Sequence, residues 1–312
     1  MSAQAIGLDI GGTKIAGVRI DAEGAVLGRG AEETPADDPP ATVAAVLKVA
    51  RGLLDAGVSG VGIGAAGLVD LGGTLRFAPN LAWRDVALPE RVGGELGLPT
   101  VADNDANAAA WGEYRFGAAR TRAHALVVTV GTGIGGGIIS EGRLARGANG
   151  FAAEIGHIVV EPGGPLCGCG NRGCWEQVAS GHAIGRAGRE AAARHPHSLV
   201  AELAGGDPGS IDGPLVSHAA REGDKVAVGI LSEVGRRLGQ GIAGLVNILD
   251  PEVVVVGGGV AEVGELLLAP ARRAMGEAIE APKHRPEVPL LAAELGNDAG
   301  AIGAAALGLE AR

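Results

Sequence analysis

Apolar and polar positions along the chain come in short blocks. Ala5–Ile10 is an apolar run, Gly11-Gly12-Thr13 interrupt it, and KIAGVRID (14–21) follows with roughly alternating polarity. That pattern predicts strand, tight turn, strand. A third strand is expected over AEGAVLGRG after a turn at Asp21–Gly24, and TPADDPPA is a loop. From Ala41 onward, apolar residues recur at helical spacing up to a glycine stop at Gly57. GVGIGAAGLVD (60–70) reads as a glycine-laced buried strand and turn, LPERVGGELG as a short helix, and PTVADND as a strand that runs into a loop. DANAAAWGEYRFGA begins the next helix, with Asp105 in the place of its N-cap.

The second half repeats the opening arrangement. HALVVTV, the glycine-rich GTGIGGG and IISEGRLARG again read as strand, glycine turn, strand, which hints at two related halves. Residues 181–247 are mostly helical in pattern, with a loop near GGDPGSIDGP. VVVVGGG is a buried strand into a glycine turn, AEVGELLLAPARRAM a helix, and DAGAIGAAALGLEA a final helix. Strands with interspersed helices predict an α/β fold.

Composition sharpens this picture. At 312 residues the chain has room for two domains. Glycine, 56 residues, is well above its usual ~7% share, and it punctuates apolar runs, so it marks turns and close approaches. The net charge of −10 argues against a nucleic-acid partner, although backbone N–H groups still bind phosphate without basic side chains. Aromatics are 2% of the chain, too few for extended stacking platforms. No apolar run reaches the ~18–20 residues of a membrane span, and the start of the chain lacks the basic region of a secretory leader. A cytoplasmic location is expected.

Three glycine loops invite a ligand. Asp9 precedes Gly11-Gly12-Thr13-Lys14, whose turn suits phosphate oxygens, with Asp9 placed to hold a water of a Mg²⁺ ion; the plain alternative is a hairpin with a surface lysine. Gly131–Gly137 superficially resembles a dinucleotide fingerprint, but a strand rather than a helix follows, so that reading is rejected. Gly257–Gly259 sits between strand and helix, where either tight packing or a flat nucleoside explains it.

The cysteines, three in all, are Cys167, Cys169 and Cys174. Such a cluster looks like three of the four ligands of a structural Zn²⁺, with His157 upstream or His182 downstream as the fourth. Glu154 and Glu176 flank the cluster; each taken alone is a solvated carboxylate. Asp103-Asn104-Asp105 lies where a strand meets a helix, a usual place for ligand contact, and one carboxylate there suits the base of a phosphoryl-transfer enzyme. Capping competes with that role for Asp105.

Taken together, these segments resemble the ROK family of bacterial sugar kinases and related repressors. The resemblance is carried by LDIGGTK, GVGIGAAGLVD, PNLAW, DNDANAAAWGE, GTGIGGGII, GANGFAAEIGHI, CGCGNRGCWEQVASG, VVVVGGG and NDAGAIGAA, in family order from residue 8 to about 306. It implies an actin-like, ribonuclease-H-like ATPase fold with two α/β domains around a cleft, here expected as 1–108 plus 299–312 and 109–298. It implies ATP-dependent phosphorylation of glucose at the 6-hydroxyl with Asp105 as general base, and Mg²⁺ at the phosphates. Sugar contacts would be Asn104, Asp105, Glu154, His157 and Glu176, with Ala65, Gly67 and Asn80 close by. ATP would meet Asp9, Gly11, Gly12, Thr13, Lys14, Thr132 and Gly133, with Gly258 and Gly259 by the nucleoside. The Zn²⁺ ligands would be His157, Cys167, Cys169 and Cys174.

The sequence departs from the family at Ala66, where the family often has proline in the turn after the strand. No amino-terminal DNA-binding module of the repressor kind is expected. A homo-oligomer, dimer or tetramer, is the expected assembly. The alternatives are a kinase for N-acetylmannosamine, mannose or fructose, a polyphosphate-using glucokinase, and a non-catalytic sugar sensor.

Overall fold

The computed structural model describes residues 3–311. The chain opens with β1 (Gln4–Ile10), β2 (Lys14–Ile20) and β3 (Val26–Glu33), followed by α1 (Pro39–Leu53) and β4 (Val58–Ala65). The expected helix thus starts and stops earlier than its pattern suggested. The Asp38 side chain accepts the Ala41 N–H and caps α1 ahead of Pro39-Pro40, and the chain is already extended at Leu54, before Gly57.

Short strands β5 (Leu68–Val69), β6 (Thr74–Phe77) and β7 (Arg84–Ala87) form a small sheet that the sequence pattern did not suggest. Then come α2 (Leu88–Leu96), β8 (Thr100–Asn104) and α3 (Asp105–Phe116). The second half holds β9 (Ala125–Val130), β10 (Ile134–Ser140), β11 (Arg143–Leu144), α4 (Glu176–Ala179), α5 (Gly181–Arg194), α6 (Leu199–Leu203), α7 (Gly213–Arg221), α8 (Lys225–Leu249), β12 (Val253–Gly257), α9 (Glu265–Ala278), β13 (Leu290–Ala292) and α10 (Ala299–Leu309). The helix expected over 261–275 is split. A 3-10 turn over Gly259–Val263 ends at Gly264, whose φ of +64° breaks the helical path before α9 begins.

Two five-stranded sheets carry the fold, ordered β3-β2-β1-β4-β8 and β11-β10-β9-β12-β13. The orders are the same when strands are numbered within each half. In the first sheet β1 runs antiparallel to β2 and parallel to β4, and β4 runs parallel to β8. The registers Asp9↔Gly64 and Gly64↔Asp103 align three neighbouring residues near the carboxyl ends of parallel strands, where open α/β sheets bind ligands.

The chain divides into two compact units. One holds the chain up to Val127, Gly136–Ala153 and the chain from Ala293 on; the other holds Val128–Gly135 and Glu154–Ala292. The expected boundary at 108 would cut α3. That helix instead packs along its length on α10, and both belong to the first unit.

Close approach explains much of the glycine. The helix α10 (AGAIGAAALGL) packs on β1 and β4. A Cβ at Gly7 or Gly62 would overlap its backbone, at Ala301 and Ala304 respectively. The first unit's core is aliphatic, built around Ile6, Leu8, Ile10, Ile15, Val61 and Ile63, with Trp83 as its large ring. The buried Glu113 carboxylate, 1% exposed, accepts N–H groups from Ala118 and Leu295 at 2.8 Å and from Glu294 at 3.2 Å. Three donors satisfy a buried charge and fasten the end of α3 to the chain before α10.

Candidate active site

In the first unit, the strand ends bring a set of polar groups together. Asn104, not Asp105, caps α3: its Oδ1 accepts the N–H groups of Ala106 at 2.9 Å and Asn107 at 3.1 Å. The expectation that Asp105 is the cap is therefore corrected. The reason is backbone geometry, since Asn104 has extended φ and ψ of −61° and 146° and Asp105 is the first helical residue.

The Asn104 Nδ2 donates to the Gly67 carbonyl at 3.1 Å, so the Gly64–Gly67 turn and the start of α3 are tied. Ala65 is fully buried and registers with both Ile10 and Asn104.

Two carboxyls here are held above the usual range. Burial pushes Asp105 up, opposed by hydrogen bonds from the Ala106 and Asp105 N–H groups and the Asn104 amide. Burial pushes Asp9 up to about 7, with the Asp105 carboxylate adding and Lys14 opposing. Asp9 lies over the first turn of α10, where a Cβ at Gly300 would be 2.6 Å from its Oδ2.

The Gly11–Lys14 turn closes on itself through Gly11 N–H to Lys14 O at 3.0 Å, so the Gly11 N–H is not free for a phosphate. Thr34 braces it, donating its hydroxyl to Gly11 O at 2.8 Å and its N–H to Thr13 O at 3.1 Å. Asn80 sits against Gly12, where an added Cβ would be 2.7 Å from the asparagine Cβ. Asp9, Gly11, Gly12, Thr13, Lys14, Ala65, Gly67, Asn80, Asn104 and Asp105 are thus all carried by the first unit.

The second unit carries Thr132, Gly133, Glu154, His157, Cys167, Cys169, Cys174, Glu176, Gly258 and Gly259. One donor atom from each of His157, Cys167, Cys169 and Cys174 lies within 4.8 Å of the others. His157 rather than His182 therefore completes the set; the His182 backbone N–H instead meets Thr132 O at 3.2 Å.

The spacing fits a tetrahedral ion. Zn–S bonds of ~2.3 Å and Zn–N bonds of ~2.0 Å place ligands roughly 3.6–3.8 Å apart. The observed Cys169 Sγ to Cys174 Sγ and Cys167 Sγ to His157 Nδ1 separations are both 3.6 Å. Without an ion, burial and the Glu176 carboxylate 3.0 Å away push the Cys167 thiol up to about 12. A bound divalent cation reverses that preference by stabilising the thiolate.

The cysteine-bearing loop is anchored by a buried tryptophan. Trp175, 1% exposed, donates its indole N–H to Arg237 O at 3.2 Å, and Arg237 pairs with Glu161 at 3.5 Å. With Nδ1 turned to the thiols, the His157 Nε2 lies 3.9 Å from Glu154 Oε2. Glu176 links the cluster to the glycine hairpin, because an added Cβ at Gly133 would collide with its Oε2. That hairpin is seated on the start of α5 by Gly181 N–H to Gly131 O at 2.8 Å. Gly258, at φ +86°, packs on Val130, where a Cβ would be 2.6 Å from the carbonyl oxygen.

Two side chains in the first unit, Arg146 and Asn107, escaped the sequence reading of the site, and both meet Asp103. Asp103 is 4% exposed and pairs with Arg146 at 2.6 Å. Asn107, 1% exposed, donates to Asp103 at 2.9 Å. The stretch RLARGANG (143–150) gave no signal that Arg146 folds back on the strand end at Asp103.

Among the described residues, no helix is long and apolar enough to cross a membrane. Comparison with known proteins accords with the site. The chain is 45% identical over 309 residues to a glucokinase of Streptomyces coelicolor, covering 98% of this chain and 97% of that protein. It is 38% identical to a glucokinase of Thermotoga maritima, covering 97% and 96% of the two chains. A crystal structure of a ROK family glucokinase from Streptomyces griseus, in complex with glucose and AMPPNP, superposes with a TM-score of 0.89 at 46% identity, covering 99% of this chain and all of that one. The ROK family model matches residues 5–311, and this chain belongs to the ROK family.

Proposed function

We propose that this protein transfers the γ-phosphoryl group of ATP to the 6-hydroxyl of D-glucose, giving glucose 6-phosphate and ADP. One observation carries the reading: Asp105 stands at the start of α3, where Asn104 supplies the cap, with its own proton affinity raised by burial. A general base works best when its pKa is drawn toward the working pH.

In this reading the Asp105 carboxylate accepts the 6-hydroxyl proton as that oxygen attacks the γ-phosphorus. The bond to the bridging oxygen of the β-phosphate breaks, and ADP leaves. The transition state is loose, so positioning and charge neutralisation supply most of the rate. The hexose hydroxyls pair with Asn104, Asp105, Glu154, His157 and Glu176, with Ala65, Gly67 and Asn80 shaping the surroundings. Each hydroxyl that an epimer misplaces strands a buried partner, at about 1–3 kcal/mol.

The triphosphate contacts the Gly11–Lys14 turn and Thr132-Gly133, and the nucleoside lies by Gly258 and Gly259. Asp9 suits a water of the Mg²⁺ that accompanies ATP, since it is a buried carboxyl beside a second one. A zinc ion held by His157, Cys167, Cys169 and Cys174 supplies a fixed orientation for the His157 ring. The glucokinase relatives support the choice of glucose and ATP.

The test is ADP release measured across glucose, mannose, fructose and N-acetylmannosamine, each with ATP and with polyphosphate. Glucose with ATP is expected to give the highest kcat/KM. A higher value for another sugar or for polyphosphate overturns the assignment, and tight glucose binding without turnover makes the protein a sensor.

A further inference from the structure

We infer that Arg146 is a positioning residue for phosphoryl transfer, holding the first turn of α3, and with it Asp105, through the buried carboxylate of Asp103. The inference rests on the function proposed above and names a residue that the reading did not use.

The geometry is a chain of short contacts within one unit. The Arg146 Nε donates to Asp103 Oδ2 at 2.6 Å. The opposite oxygen, Oδ1, accepts the Asn104 N–H at 2.8 Å and the Asn107 Nδ2 at 2.9 Å. Asn104 is the cap of α3, and Asn107 belongs to its first turn. Asp105 lies between them, so one carboxylate holds the Asn104 backbone N–H before the candidate base and the Asn107 side-chain amide after it.

That carboxylate is 4% exposed, and Arg146 is its only cationic partner among the described residues. A buried carboxylate that loses its cation must find another partner or take up a proton, and either rearranges what it holds. The Asn107 amide depends on Asp103 in particular. Its Oδ1 is buried with no hydrogen-bond partner, so its orientation is fixed from the Nδ2 side alone.

Arg146 is itself held. Its carbonyl accepts the Ala152 N–H at 3.1 Å, closing the stretch 146–152 into a loop. That loop packs on β5 at Gly150, where a Cβ would be 2.6 Å from Val69 O. β5 follows the turn whose Gly67 carbonyl accepts the Asn104 amide. Two separate stretches of chain, the 146–152 loop and the Gly67 turn with β5, thus converge on the start of α3, and Arg146 is the cationic member of the set. Misplacement of a reacting group by about 1 Å costs on the order of a hundredfold in rate.

The experiment uses the full chain with Arg146→Met and Arg146→Lys. Steady-state kinetics with glucose and ATP, zinc content and melting temperature are measured for both. Arg146→Met is expected to lower kcat roughly tenfold to a hundredfold. Its KM for ATP and its zinc content stay at the wild-type values. Arg146→Lys keeps the charge and is expected to recover most of the loss. Millimolar methylguanidinium is expected to restore Arg146→Met in a saturable way that urea does not reproduce.

A kcat at the wild-type value in folded Arg146→Met, with only its melting temperature lowered, makes the pair structural and overturns the inference. If Arg146→Met does not fold, Arg146→Gln, which also removes the charge, decides in its place. A lowered kcat with an unchanged melting temperature supports positioning, and an unchanged kcat overturns it. Wild-type enzyme that releases no ADP with any sugar defeats the proposed function instead, so the two failures are distinguishable.

Discussion

Asn104 caps α3 and Asp105, its neighbour, does not: the amide oxygen of Asn104 takes the Ala106 N–H at 2.9 Å, and the next carboxylate is left for other work. The two residues therefore respond differently to substitution. Asn104→Ala is expected to cost about 1 kcal/mol of stability through the lost cap. Asp105→Asn is expected to lower kcat by roughly 10²–10⁴ with the melting temperature unchanged or higher. Thermal melts and ADP release on the same preparations check both, and a mild kinetic effect of Asp105→Asn removes it from the base role.

The raised proton affinity of Asp105 has a kinetic consequence. The base must be ionised to accept the sugar proton, so activity rises with pH through its pKa. Its burial places that acid limb above the ordinary aspartate value of 3.8. A kcat/KM profile on glucose is expected to fall on the acidic side well before ordinary carboxylates protonate, and a flat profile down to pH 4 contradicts it.

Asp9 links pH to stability. Its pKa is about 7 folded against an ordinary 3.8, so between these values the native state holds more protons than the unfolded one. Stability from this group is therefore lost as pH rises through that window. Asp9→Asn carries no such penalty. Its melting temperature is expected to match the wild type at pH 4 and exceed it at pH 8, while its turnover is much lower. Calorimetry at the two pH values reads this, and equal melting at pH 8 refutes it.

Metal content tests the thiol cluster. About one zinc per chain is expected, lost in Cys174→Ser or with a strong chelator, because such an ion binds only where folding brings all four donors together. Its loss is expected to lower the melting temperature and to raise KM for glucose more than tenfold. AMPPNP binding, followed by calorimetry, is expected to persist. Unchanged glucose affinity in the metal-free protein contradicts the scaffold role of the loop.

The close packing of α10 makes two glycines behave in opposite ways. Gly62→Ala drives a methyl into the Ala304 carbonyl, which belongs to a helix backbone and cannot swing aside. A loss of about 3 kcal/mol or more is expected. Gly244, on the exposed side of α8, has open space around it. Gly244→Ala is expected to gain up to about 1 kcal/mol. Denaturant melts of the pair distinguish the two environments.

Much of this was legible in the residues because local chemistry marked it. The Cys167–Cys174 spacing announced a metal set, and the alternation after Ile10 announced a hairpin. The fourth member of the cysteine set was not decided by spacing alone, since His157 and His182 flank the cysteines on either side; the fold brings His157 to them. The cap of α3 was misread because Asn and Asp cap equally well, and only backbone angles tell which residue comes first. Arg146 and Asp103 are 43 positions apart, and no periodicity reports a contact of that range. The small sheet of β5 to β7 was missed for a related reason: strands of two to four residues are too short to show a period.

The repeated strand order lets the two halves be compared element by element. Each sheet opens with a hairpin whose bend is glycine and threonine, Gly11-Gly12-Thr13 in one and Gly131-Thr132-Gly133 in the other. The thiol-bearing stretch from Glu154 to Glu176 has no counterpart after β3, where α1 follows instead. The second half thus carries a thiol-bearing stretch that the shared strand order does not require. On the function proposed above, substitutions within that stretch would alter which hexose is accepted and leave the Gly11–Thr13 and Gly131–Gly133 bends untouched.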